Sequence, residues 1–293
     1  MTVATFIGGV AQMLTQPFMA NALIAGTAIA TAAGLVGYFL VLRGQVFTGD
    51  ALGHVAFTGA AAALALGLDP RIGLFAATVA VGALIGALGV KGGADDVVIG
   101  NVLAWVLGLG VFFLAYYVTS ASAANGAAGV SILFGSIFGL SVAQAWATAA
   151  VGAGVGVLVL LIARPLLFAT IDPIVAASLG VPVPALGIGF LMLAGVATAQ
   201  ATLAVGALLL LGLLAAPAGT ALHLTSRPYL GLALSAIVAV ADVWVGLALS
   251  YAFPVLPPSF SILAVATGLY LAVITLGEAR RALLRRERAG SAR

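Results

Sequence analysis

Long apolar runs, each close to the length of a membrane-crossing helix, recur along almost the whole chain, separated by short clusters of charge, proline or glycine. A helix needs about 20 predominantly apolar residues to cross a bilayer, and turn formers or charges mark where one run ends and the next begins. Divided by these signals, the pattern predicts nine spans: Ala20–Leu42, Ala51–Leu68, Ile72–Val90, Val97–Val118, Val142–Ala163, Pro184–Gln200, Leu203–Leu224, Tyr229–Ala252 and Ser259–Leu276. The expected fold is therefore all-α: one polytopic membrane domain over residues 1–293, with a short basic tail from residue 277. No basic residue precedes the first apolar stretch, so that stretch is expected to remain as a transmembrane helix rather than to be cleaved as a signal peptide.

The charges test this division independently. Six arginines lie in the tail (Arg280, Arg281, Arg285, Arg286, Arg288 and Arg293), and a basic cluster after an apolar span marks the cytoplasmic face. If the tail is cytoplasmic and nine helices alternate, the N-terminus is outside. Arg43, Lys91, Arg164 and Arg227 then share the tail's side, so ten of the eleven basic residues are cytoplasmic and only Arg71 is outside. The calculated pI near 9.6 comes from this asymmetry, and nucleic acid is not an expected partner.

Composition narrows the class further. The chain is 63% hydrophobic and 6% charged, with a mean hydropathy of +1.27. Soluble domains carry about 25% charged residues, so most of this exterior must face lipid. The absence of cysteine excludes disulfides and thiolate metal sites. Among 38 glycines, pairs such as Gly82/Gly86 and Gly152/Gly156 have the spacing that lets helix backbones approach closely.

Two inter-span stretches carry signals of their own. Thr119–Gly129 is small and polar, an expected outer loop, and leads into Val130–Ser141, which is too short to cross and reads as re-entrant or interfacial. Pro165–Pro182 contains a helix start at Asp172 and Pro173 and a stop at Gly180, which predicts a short cytoplasmic helix that a soluble partner could grip.

An ionisable side chain at membrane depth is costly and is a functional hypothesis by default. Asp50 and His54, four residues apart, share one helical face. A carboxylate and an imidazole there suit a divalent transition metal; the competing reading makes Asp50 a helix cap and His54 an interhelical hydrogen-bonding group. Asp242 stands alone in the eighth span. It lies 15 residues past Arg227, and His54 lies 11 past Arg43. At about 1.5 Å per residue the two fall within about 6 Å in depth, so Asp242 is expected as a third ligand, or else as a buried acid satisfied by a neighbouring helix. Asp95 and Asp96 open the fourth span; they suit a helix N-terminus, and Asp96 is an additional candidate for a cytoplasmic-side ion contact. His223 is expected at the interface beside Arg227, and Asp69 and Arg71 in an outer loop. No G-x-x-x-x-G-K-[ST] phosphate loop, H-E-x-x-H or G-x-S-x-G motif occurs, so ATP hydrolysis, if it drives transport, must reside on another subunit.

Four stretches resemble, in order, the zinc/manganese-importing ABC transporter permeases. Arg43–Gly59, RGQVFTGDALGHVAFTG, is similar to that family's G-D-x-x-x-H-A region, with Val55 in place of the alanine. Asp95–Gly100 resembles the start of its fourth helix. Ile171–Val181 resembles its coupling segment, matched at Asp172, Pro173, Ala176 and Gly180, with Ile174 where an acid is common. Val205–Ala221 resembles its V-G-x-L-L…P-A-x-x-A helix, while Ser250–Phe260 lacks the aspartate and P-x-G pattern of the outer loop. The resemblance implies a homodimeric permease in the plasma membrane, with no permanently bound cofactor. Two cytoplasmic ATP-binding subunits and an extracellular metal-binding protein are the partners it implies. Asp50 and His54 would then lie on the metal path, and imidazole plus carboxylate favours zinc, with manganese and iron also admitted. Two other classes stay open: a secondary transporter driven by an ion gradient, and a non-transporting assembly subunit whose polar groups only join helices.

Overall fold

The computed structural model describes residues 16–89, 96–120, 135, 137–207 and 210–290. Among them the chain forms ten α-helices: α1 Pro17–Leu42, α2 Val46–Ala65, α3 Pro70–Leu88, α4 Asp96–Ser120, α5 Val142–Ile171, α6 Pro173–Ser178, α7 Val183–Val205, α8 Leu210–Leu224, α9 Pro228–Ala252 and α10 Pro258–Gly290. Every expected span has its helix, and α6 is the expected short one. The expected loop from residue 121 and most of the expected re-entrant segment lie outside the described residues, as do Lys91 and Asp95; a single 3-10 turn, Ile137–Gly139, is described there.

The boundaries follow local chemistry. Proline occupies the first turn of α1, α3, α6 and α9, where its missing N–H costs nothing. Asp69 caps α3 by accepting from the Arg71 N–H at 2.9 Å. Ser141 and Gln144 cap α5 reciprocally, in a capping box. Two helices outrun their expected ends. Helix α5 continues through Pro165 to Ile171, because within a bundle neighbouring groups re-satisfy the carbonyl that proline strands. Helix α10 continues from the apolar stretch to Gly290, since the alanine-, leucine- and arginine-rich tail favours helix.

Seven helices among the described residues are long and apolar enough to cross a bilayer. Of the remaining expected spans, α2 falls short in apolarity, carrying Thr48, Asp50, His54 and Thr58, and α8, at 15 residues, falls short in length. Both are largely buried: they are inner helices. Helix α1 is central. Every residue from Ala32 to Leu40 is buried, as a helix apolar all round requires, and it packs against α9, α5, α8 and α7. Helix α2 packs chiefly on α3 and α4, and α9 chiefly on α1 and α10.

Glycine sets the closest approaches. A Cβ at Gly82 or Gly86 would stand less than 3.0 Å from the α7 backbone, and one at Gly152 less than 3.0 Å from the Ala28 carbonyl; the expected glycine contacts are real except at Gly156, which has ordinary room. Three of the described arginines are placed by their surroundings. Arg43 lies over the Phe190 ring of α7 at 5.7 Å. Arg164 shares a cavity of about 520 Å³ with Val181, Pro228 and Tyr229, at the end of the bundle that carries α6. Arg71 lies at the opposite end, beside Gln144 and Gln200.

Candidate metal path

Helix α2 begins at Val46, so Asp50 sits more than a turn inside it. The helix has no side-chain cap, and Asp50 is not one. With the capping account gone, the pair stands as a polar face one turn tall. His54 Nε2 and Asp50 Oδ2 are 4.0 Å apart, too far for a hydrogen bond. Two donors each about 2.1 Å from one ion are at most ~4.2 Å apart, so this separation is within the reach of a single shared cation. The side chains are 27% and 28% exposed, so neither is sealed in the core of the single chain.

Asp242 is elsewhere. It is 1% exposed on the inner face of α9, and its Oδ2 has no hydrogen-bond partner among the described residues. Among the described residues no three His, Cys, Asp or Glu side chains form a group that could hold a metal, so Asp242 does not join Asp50 and His54. The reason is lateral: α9 packs on α1 and α10, whereas α2 packs on α3 and α4, and agreement in depth does not make two helices neighbours. Nor is Asp242 the hydrogen-bonded interhelical link of the alternative reading. A lone buried polar group costs about 1–3 kcal/mol. Asp242→Leu is therefore expected to raise the thermal unfolding temperature of the purified permease, and a fall would show that the carboxyl has a partner in the native state.

Asp96 is the first residue of α4, and its side chain lies outside the description. His223 is exposed, with Nδ1 2.9 Å from the Gly219 carbonyl and its ring 5.9 Å from Tyr270, an interfacial arrangement. At the α6 end, Asp172 Oδ1 accepts from the Ile174 and Val175 N–H groups at 3.1 and 2.9 Å, and Gly180, at a φ of 85°, closes the turn. Ala176 is buried against the bundle, while Ile174 and Leu179 are 82% and 70% exposed. This is a helix held by one residue and offering apolar side chains outward.

Sequence reasoning used Gln200 only as a span boundary. It is buried, its Nε2 donates to the Thr148 carbonyl, and its Oε1 has no partner among the described residues. With Arg71, Gln144 and Thr148 it lines a cavity of about 370 Å³ at the end opposite α6. The available signal was an amide in an otherwise apolar run.

The model of the ABC 3 transport family matches residues 15–277. The chain belongs to that family. It is a permease of a metal ABC transporter and a multi-pass protein of the plasma membrane. The permease is 28% identical over 257 residues to the manganese transport system membrane protein MntC of Halalkalibacterium halodurans, covering 87% of this chain and 86% of that one. It is 31% identical to the manganese import system permease protein ScaB of Streptococcus parasanguinis, covering 85% and 88%. Its fold matches a structure of PsaBC from Streptococcus pneumoniae in complex with Fab, with a TM-score of 0.77 and 28% identity over 93% of this chain and 95% of that one.

Proposed function

We propose that this permease imports a divalent transition metal, manganese ahead of zinc, along a path that Asp50 and His54 line. It is powered by ATP hydrolysis on a separate cytoplasmic subunit and supplied by an extracellular metal-binding protein. One observation carries the reading: two ionisable side chains, a turn apart on α2, are each more than a quarter exposed on a helix whose neighbours cross the bilayer. Lipid cannot solvate them. They need a water-filled path, and a second copy of the chain facing the first would enclose one and double the two ligands each chain supplies. Ligand type alone leaned toward zinc; the relatives named for manganese move the preference, and carboxylate oxygen suits manganese as well.

The end bearing Arg43, Arg164, Arg227 and α6 faces the cytoplasm in this reading, with the N-terminus outside and nine helices crossing, α2 and α8 shielded by the others. Asp172, Pro173, Ala176 and Gly180 hold α6 as the contact to the ATPase. Removal of the cap by Asp172→Ala costs about 1 kcal/mol locally, too little to unfold the permease. It should lower transport-coupled ATPase stimulation several-fold while leaving the isolated permease's melting temperature within ~2 °C. Full stimulation would remove α6 from the coupling role. The decisive test of the whole reading is manganese accumulation in proteoliposomes carrying the permease and its ATPase, with ATP and with the proton gradient collapsed. Uptake that requires ATP supports it, and uptake that follows the gradient instead overturns it.

A further inference from the structure

Helices α5 and α9 both pack on α1 but are not principal neighbours of each other. Where the end of α5 approaches the start of α9, the gap between them is the cavity of about 520 Å³ that holds Arg164. Its depth can be read along α5. Trp146, 62% exposed, and Arg164 are 18 residues apart on that helix. At about 1.5 Å per residue they are ~27 Å apart, close to the ~30 Å thickness of the hydrocarbon core. An exposed tryptophan marks one headgroup level, so Arg164 stands at the other. Tyr229, 60% exposed in the first turn of α9, is a second interfacial aromatic at that level.

The chemistry of the cavity is two-sided. Leu167 and Phe168 give it apolar walls, and Arg164 and Tyr229 bring a guanidinium and a phenol. Arg164 makes no ion pair or hydrogen bond among the described residues. Asp172, the nearest acid along the chain, has its Oδ1 engaged by the Ile174 and Val175 N–H groups. Helix α9 starts here without a side-chain cap, and its positive end adds to the field of the arginine. A fixed cation at headgroup depth, above an apolar gap open between two helices, complements a phosphodiester that carries acyl chains.

We infer that this cavity binds an anionic phospholipid, with its phosphate on Arg164 and an acyl chain against Leu167 and Phe168. Ile171 and Val181, which flank α6, also line the cavity. The bound lipid therefore ties both flanks of α6 to the start of α9 at the membrane surface. The site requires only that this end of the bundle be a membrane interface, so it stands apart from the metal path and from the proposed orientation.

The test uses the full-length permease, alone and with its ATPase. Native mass spectrometry should show phosphatidylglycerol retained on the permease at lipid levels where phosphatidylcholine is not. Arg164→Gln should weaken that retention about tenfold, the scale of a lost hydrogen bond to a charged group. Arg227→Gln removes a charge at the same end but outside the cavity, and should leave retention unchanged. Equal loss in the two variants would mean diffuse surface attraction and overturns the inference. Glycerol phosphate competing as well as the whole lipid overturns it too, because the apolar walls are then idle. Release of the lipid when the ATPase binds assigns the cavity to that protein instead. Tyr229→Trp, at an exposed position, reads the cavity with Arg164 intact. In nanodiscs, phosphatidylglycerol with brominated chains should quench the added emission more than brominated phosphatidylcholine does, and equal quenching overturns the inference by leaving only bulk lipid at the wall.

Discussion

Asp50→Asn and His54→Gln are each expected to lower manganese uptake by about 100-fold at unchanged abundance in the membrane, the upper range for damage to a metal site. Asp50→Asn keeps the shape and removes the carboxylate charge, and His54→Gln replaces the imidazole nitrogen with a neutral amide. Asp50 neither caps α2 nor makes a hydrogen bond among the described residues, so neutralising it should not disturb the helix. The buried side of α2, from Thr48 and Gly49 through Leu52, Gly53 and Ala56, is a different stripe and is untouched. An assembly subunit whose polar groups join helices would behave oppositely, losing folded protein rather than transport. Uptake measured with manganese, zinc and iron in parallel separates these outcomes. Loss of one metal with normal assembly names the substrate, loss of assembly supports the joining role, and unchanged uptake moves the path off α2.

The helices were legible because a bilayer leaves the backbone no other way to satisfy its hydrogen bonds over a long apolar run. The sorting of Arg43, Arg164 and Arg227 to one end and Arg71 to the other was legible for the same reason, since charge cannot be left in lipid. Lateral position was not. Depth arithmetic put Asp242 level with His54, but it carries one coordinate, and α9 packs chiefly on α1 and α10 while α2 packs chiefly on α3 and α4. Pro165 looked like a stop, yet a proline inside a packed bundle is only a local defect, and α5 runs on to Ile171. Nor did composition predict that the Oε1 of Gln200 would lack a partner among the described residues.

Gly73→Val is expected to have the largest structural effect. Helices α2 and α3 meet through Gly59 and Gly73, and the approach is reciprocal. A Cβ on either would stand less than 3.0 Å from the other's carbonyl oxygen, and Ala63 and Ala77 would be crowded as well. The obstruction is backbone, so no rotamer relieves it, and α3 has no room to retreat. On its far side Gly82 touches the Leu191 backbone, and Gly195 of α7 touches Thr78. Overpacking of an interior usually costs about 1–3 kcal/mol, and here the upper end applies because two seams resist together. Purified Gly73→Val should lose most of its monodisperse yield and melt well below the parent. Gly154→Val, at a site with nothing within 4 Å, should match the parent and exclude a general penalty for β-branching. The seam also fixes the rotation of α2 and hence the direction in which Asp50 and His54 face. Gly73→Ala, a smaller intrusion, should therefore reduce manganese uptake more than it reduces stability. Equal melting of Gly73→Val and the parent would mean that α2 and α3 separate freely, and the polar pair would then owe its orientation to some other contact.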